Sequence, residues 1–411
     1  MDPRHQRERD RECELDGAIE LPPAAMAAGG GLLVTAVVLA ALNMRPVVNS
    51  VGPVLGDIRA DLGTSAVWAG VLTMLPVLCF SGAGLAAPWL ARRLGLGRTI
   101  AVALAVLTVG AAVRVLGGPG VVLAGTLAAC AGIALANVLI PVVIKGSFPT
   151  RIGVMTGVYS AALQGGGALG SAGTPFLADA LGGWRPALAS WAVLAALAWL
   201  FWVLGANRIE DIRPAETARG SGVRGLLRNP LAWTVTVFFG CQSFLAYVIF
   251  GWLPEVFIDN GISQRSAGLL LGLISVLAVP VSLFIIPLAA QRRSQSGWII
   301  AMGVTGIAGI VGLLVAPAAA PVLWSLLVGF GLSAFSMALA VIALRARDAE
   351  TTASLSGMAQ GIGYLFAGLG PLMFGVLHEV TGSWTVPWLM VLAVYLVQVG
   401  AGTLAGRDRQ V

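Results

Sequence analysis

Apolar stretches recur from residue 30 to residue 405, separated by short polar segments, and this rhythm constrains the chain more than any motif. A helix needs about 20 mostly apolar residues to cross a hydrocarbon core about 30 Å thick. Only 11% of the 411 residues are charged and 57% are hydrophobic, whereas soluble domains carry about a quarter charged residues. With a mean hydropathy of +0.88, the sequence predicts an all-α, polytopic membrane protein. Twelve transmembrane helices are expected, at about 30–56, 66–90, 98–116, 120–144, 152–179, 184–205, 230–257, 265–290, 297–316, 320–345, 352–379 and 383–405.

Between spans six and seven lies "NRIEDIRPAETARGSGVRGLLRNP", a polar segment far longer than its neighbours. The expected organisation is a disordered cytoplasmic tail (1–29), a six-helix bundle (30–205), a cytoplasmic linker (206–229), a second six-helix bundle (230–406) and a short cytoplasmic tail (407–411). The opening residues mix both charge signs and lack the early apolar core of a secretory signal. Cytoplasmic loops retain Lys and Arg. With the N-terminus inside, twenty basic residues fall on the cytoplasmic side and only Arg59, Arg114, Arg185 and Arg265 outside. Both termini are therefore expected in the cytoplasm, with the chain in the cell's inner (plasma) membrane.

The two halves repeat. Displaced by 200 residues, "TGVYSAALQGGGALGSAGTPFLADALGGW" falls on "SGMAQGIGYLFAGLGPLMFGVLHEVTGSW". Gly157 meets Gly357, Asp179 meets Glu379, Gly182 meets Gly382 and Trp184 meets Trp384; at 198, "GTSAVWAGVL" falls on "GISQRSAGLL". The bundles are thus expected to be pseudo-symmetric.

The same composition excludes several function classes. The net charge of +6 lies in short loops rather than on one face, so no nucleic-acid partner is expected. The four cysteines are scattered, only His5 and His378 are present, and neither a metal site, a cofactor nor an enzyme's nucleophile with its base can be assembled. The expected partners are a small-molecule substrate and the lipid bilayer, with protons as a candidate coupling ion and a monomer as the expected state.

Polar residues in a membrane span face a protein interior or a water-filled cavity. They concentrate in spans one, five, seven, ten and eleven, leaving three, six, nine and twelve to face lipid. Ser160 and Gln164 share a face of span five, as Gln360 and Tyr364 do in span eleven at the matching positions. Gln164, Gln360 and Tyr364 are candidate cavity residues, joined by Asn137 in span four, Gln242, Tyr247 and Trp252 in span seven and Ser336 in span ten. Interhelical hydrogen bonding, worth about 0.6 kcal/mol per contact in membranes, is the competing role for each.

Span one holds the sharpest anomaly. In "ALNMRPVVNSVGP", Arg45 sits about midway along the span, where an arginine costs about 2.5–3.5 kcal/mol on insertion scales. Asp57 lies about three turns outward, and no carboxylate is expected deep enough to pair with Arg45. The guanidinium could cap carbonyls freed by Pro46. Alternatively, it receives an anionic or strongly polarised ligand group with its planar donor fork. Asn49, one turn on, would share its face; Asn43 is a further candidate. Pro46 and Pro53 should loosen the helix. The acids nearest the spans sit at their ends; of these, Asp57 and Glu255 are candidates for coupling to protons.

"LNMRPVVNSVGPVLGDIRADLG" resembles the first span of the cyanate permease and 2-nitroimidazole transporter branch of the major facilitator superfamily, and "LGGWRPAL" and "LARRLGLGR" are similar to that branch too. The resemblance implies the major facilitator fold, alternating access to a site between the halves, and transport of a small, monovalent anionic or polar planar solute with Arg45 at the ligand. The superfamily's loop after span two usually carries an aspartate, and here Gly84 to Arg93 offers none. A drug-efflux antiporter for neutral or cationic compounds is the alternative, although the Gly-Pro-x-x-Gly-Gly pattern of antiporters is incomplete around Gly173-Thr174-Pro175.

Overall fold

The computed structural model describes residues 30–148, 151–206, 225–347 and 349–411. The expected tail over 1–29 and the linker over 207–224 lie outside the described residues. Among the described residues every regular element is helical, as expected of chains whose backbone polar groups must be satisfied without water. The chain makes twelve passages. Span one runs through Gly30–Asn43, Pro46–Asn49, a tighter turn at Gly52–Val54, and Leu55–Leu62. Spans two to six are Ala66–Leu94, Leu96–Val113, Pro119–Ser147, Ile152–Leu181 and Trp184–Ala206. Span seven is Pro230–Asp259; span eight is Gln264–Pro280, a wide turn at Val281–Ile285, and Ile286–Ala290. Span nine is Ser296–Val315, span ten Pro321–Leu332 with Ala334–Arg345, span eleven Ala349–Thr381 and span twelve Thr385–Ala405. Eleven passages are long and apolar enough to cross a membrane; span five is long enough, at 30 residues, but too rich in Gly, Ser, Thr and Gln to join them.

The repeat read from the sequence reappears as matched bonds. Trp184 Nε1 donates to Asp61 (3.2 Å) and, 200 and 198 residues on, Trp384 Nε1 donates to Asp259 (3.1 Å). Ser65 caps span two by accepting from Trp68 N, and Ser263 caps span eight by accepting from Ser266 N. Gly182 and Gly382 each end a long helix in the left-handed region, at φ +79° and +61°.

The halves meet through spans one, two, five, seven, eight and eleven, while spans three, six, nine and twelve pack chiefly within their own bundle. Span two lies along span eleven, and span five along span eight, again as a matched pair. A Cβ on Gly70 would lie 3.0 Å from Pro371 O, and one on Gly268 would lie 2.6 Å from Ser171 O, so both crossings need glycine.

One end of this interface is tied shut. Asp179 at the end of span five accepts from Arg265 Nε (2.6 Å), and its repeat partner Glu379 accepts from Val67 N (2.9 Å). Arg59 on span one pairs with Glu255 on span seven. Gln264 Nε2 donates to Asp57 (2.6 Å) and to Pro53 O (2.9 Å). At the opposite end, Arg345 bonds Gln295 and the carbonyls of Ala405 and Gly406, all within the C-terminal bundle. Arg345 also lies 3.9 Å from the Asp408 carboxylate, beyond the end of span twelve.

Candidate functional site at the break in span one

Span one is broken where Arg45 sits. Pro46 supplies no N–H, the helix stops at Asn43, and Met44 and Arg45 form a turn before it restarts. A second irregularity follows: Val51 N bonds Val48 O instead of Val47 O, so the Val47 carbonyl loses its helical donor. Span five closes on the break along its glycine run. A Cβ on Gly166 would fall 2.1 Å from Leu42 O and one on Gly170 2.6 Å from Pro46 Cα, contacts only a residue without a side chain permits. Gly167 lines the Arg45 face: a Cβ there would lie 3.0 Å from Asn49 Nδ2, 3.5 Å from Arg45 Cβ and 3.6 Å from Ser275 Oγ of span eight.

Arg45 is half-buried, and its side chain makes no hydrogen bond or ion pair with any described residue. The face of span one that carries Arg45 meets both bundles, through Gly167 of span five and Ser275 of span eight. Tyr159 in span five and Tyr364 in span eleven are buried, and Tyr247 in span seven is half-buried with no hydrogen bond to any described residue. Tyr159 is fixed by donating to Asn137 Oδ1 (2.8 Å) and lies 3.9 Å from Met44 Sδ. Tyr364 packs against Phe80 of span two (centroids 5.8 Å) and edge-on to Phe239 of span seven (5.2 Å). Gln164 reaches across the halves to Ser275 O (3.3 Å). Gln360 is half-buried and donates to Ser356 Oγ (2.7 Å) on its own helix. Ser336 shares a hydrogen bond of 2.8 Å with Ser282, in the wide turn of span eight.

Three candidates are engaged away from this face. Gln242 is fully buried, donating to Leu332 O (2.8 Å) and accepting from Gln398 Nε2 (3.1 Å), so it joins spans seven, ten and twelve. Trp252 is fully buried, donates to Pro371 O (3.0 Å) and packs on Phe374 and Trp384. Asn43 donates back to Leu39 O (2.8 Å), and its Oδ1 is buried without a partner. Gln242 and Trp252 thus serve hydrogen bonds inside the C-terminal bundle, the competing role that polarity alone cannot distinguish, while Asn43 keeps one acceptor unpaired. Asp57 and Glu255 lie not at the site but in the tied end, at positions that correspond at the 198-residue displacement.

Two residues at the break escaped the sequence reading. Tyr159 meets Ala359 at the 200-residue displacement, so a search for paired polarity passes over it. Arg114, expected in an outside loop, is 1% exposed and donates from Nη1 to Val47 O (2.7 Å). It caps the carbonyl that the second irregularity freed, while Nε and Nη2 find no partner. Arg114 thus caps a carbonyl at the second irregularity, not the one that Pro46 frees. It is a buried arginine packed on span one through Val47, which lies close to Arg45 in sequence. Among the described residues no group of His, Cys, Asp and Glu is placed to hold a metal.

The family model of the Major Facilitator Superfamily matches residues 31–371. The chain is 37% identical over 382 residues to the 2-nitroimidazole transporter of Escherichia coli (strain K12), covering 92% of this chain and 96% of that protein. It is 33% identical over 353 residues to the cyanate transport protein of the same organism, covering 85% and 91%. Among solved structures, it resembles a bacterial homologue of the human lysosomal transporter Spinster in an inward-facing, unoccupied conformation. The TM-score is 0.75 at 13% identity, covering 94% of this chain and 99% of the other.

Proposed function

The chain belongs to the Major Facilitator Superfamily, and from that premise we propose a secondary transporter for a small, monovalent anionic or polar planar solute. Arg45 is the ligand anchor. One observation carries the reading: a permanent cation sits at a helix break beside the junction of spans five and eight, with no counter-charge among the described residues. Desolvating a cation is costly unless it is paired, and here the cargo supplies the negative charge. The named cargoes of the two relatives, 2-nitroimidazole and cyanate, support a small planar solute. The alternative of a cationic drug finds no carboxylate beside Arg45 among the described residues.

Alternating access then follows from the tied end. With both termini in the cytoplasm, that end faces out and the site opens inward; the bundles rock about spans two, five, eight and eleven. Opening outward must separate Arg59 from Glu255 and Gln264 from Asp57, so these two acids are where a coupling proton would act. The test is counterflow of labelled small anions in liposomes containing the full chain. Saturable exchange that Arg45→Ala abolishes, with the variant still folded, is the expected result. Exchange unchanged in that variant removes Arg45 from the ligand.

A further inference from the structure

We propose that Asn49 is a second ligand contact, seated against span five by Gly167, and that Gly167 thereby sets how bulky an anion the site admits. This rests on the reading of Arg45 as ligand anchor and adds a specificity-determining residue to it.

The glycines of span five do not all serve one purpose. At Gly166 and Gly170 a Cβ would strike the backbone of span one, at Leu42 and Pro46, so the crossing itself requires them. Around Gly167 the three nearest atoms all belong to side chains: Asn49 Nδ2, Arg45 Cβ and Ser275 Oγ. The crossing would accept an alanine at this position. Its counterpart at the 200-residue displacement is Ala367, buried in span eleven, so the repeat itself carries the methyl. What Gly167 preserves is the seat of the Asn49 amide, which an alanine would push by a few tenths of an ångström.

Asn49 in turn has the features of a ligand contact. It is 3% exposed, yet its side chain makes no hydrogen bond among the described residues. Sealing an unpaired amide away from water is costly. Neither atom of this amide is sealed, so part of the little exposure that remains lies at the amide, open to a ligand. Asn49 N bonds Arg45 O (2.9 Å), which makes the turn between them helical and puts both side chains on one face. Ser275 closes the far side. Its carbonyl is held by Gln164 (3.3 Å), and its hydroxyl has only a long bond of 3.5 Å to Leu271 O. A guanidinium fork, an amide and a hydroxyl form a donor set for a compact monoanion with several acceptor lone pairs. The amide adds a donor without neutralising Arg45, as an aspartate there would.

The experiment measures binding of formate and of acetate to the full chain, from the concentration dependence of thermal stabilisation. Both anions should stabilise the unaltered protein, and neither should stabilise Arg45→Gln. Gly167→Ala should weaken acetate about tenfold and formate little, the discrimination that one misplaced methyl gives. Asn49→Ala should weaken both about tenfold, through loss of a hydrogen bond to a charged group. In the double variant Gly167→Ala/Asn49→Ala the added methyl meets no amide, so the acetate-to-formate ratio should be that of Asn49→Ala alone. Asn49→Ser keeps a donor, withdraws bulk and should move the ratio towards acetate, which tests the proposal if Gly167→Ala fails to fold. An unchanged ratio in Gly167→Ala and in Asn49→Ser, with binding still lost in Arg45→Gln, overturns this proposal and leaves the anchor standing. Binding of neither anion, or binding indifferent to Arg45→Gln, overturns the anchor and this proposal with it.

Discussion

The tied end of the molecule and the break in span one treat arginine in opposite ways. At the tied end, Arg59 has Glu255, Arg265 has Asp179 and Arg185 has Asp61. Three of the four arginines expected outside are therefore engaged by acids. Deeper in the same N-terminal bundle, Arg114 ends on a backbone carbonyl and Arg45 on nothing described. Arginines are paired with acids where two elements are held together, and on the proposed reading the acid is withheld at Arg45 so that its charge stays available to the cargo. Burial alone would point to the wrong residue: Arg114 is the more buried of the two, yet its bond serves the helix it touches.

The contrast can be broken most directly at Arg45. Arg45→Ala should lower transport about a hundredfold, the value of hydrogen bonds to a charged group, with thermal unfolding little changed; a large loss of stability would instead make Arg45 a structural residue. Arg114→Ala should do the reverse, removing about 2 kcal/mol of stability by uncapping Val47 and opening space in the bundle. Because Val47 lies between Arg45 and Asn49, this variant should also raise KM more than it lowers kcat. Glu255→Gln keeps an acceptor for Arg59 but removes the ion pair. It should shift the balance between the two open states by about 1 kcal/mol, read as faster thiol labelling of a cysteine placed at Pro53. The smallest effect belongs to Asp57→Asn, whose carboxylate is exposed and meets only an amide: within about 0.5 kcal/mol on the same assay.

Much of the architecture is legible in the sequence because membrane helices are written in long apolar runs and the repeat preserves its corner residues. The Asp61–Trp184 and Asp259–Trp384 bonds explain why those tryptophans recur. The site was less legible. Arg45 stands out because a charge in an apolar run is a signal in one residue. Gln242 and Trp252 look the same in sequence as Gln164 and Tyr364, since all carry polar groups in apolar helices. Which way each points depends on helix rotation, set by contacts such as Gly166 on Leu42 that no single-helix pattern contains. Arg114 was misread because it immediately follows the end of span three at Val113, where a positive charge looks like loop. Its bond to Val47 depends on a break in another helix.

Span five is the one passage whose composition falls short of independent membrane crossing, and that shapes how the protein must be made. Its run of glycines and polar groups gives the insertion machinery little reason to release it sideways into lipid on its own. Its favourable surroundings are proteinaceous: the gap beside Leu42 and Pro46, which span one reserves for it. Span one is synthesised first, and the expected order of assembly is therefore span five docking against a neighbour already in place, which couples the insertion of the two segments.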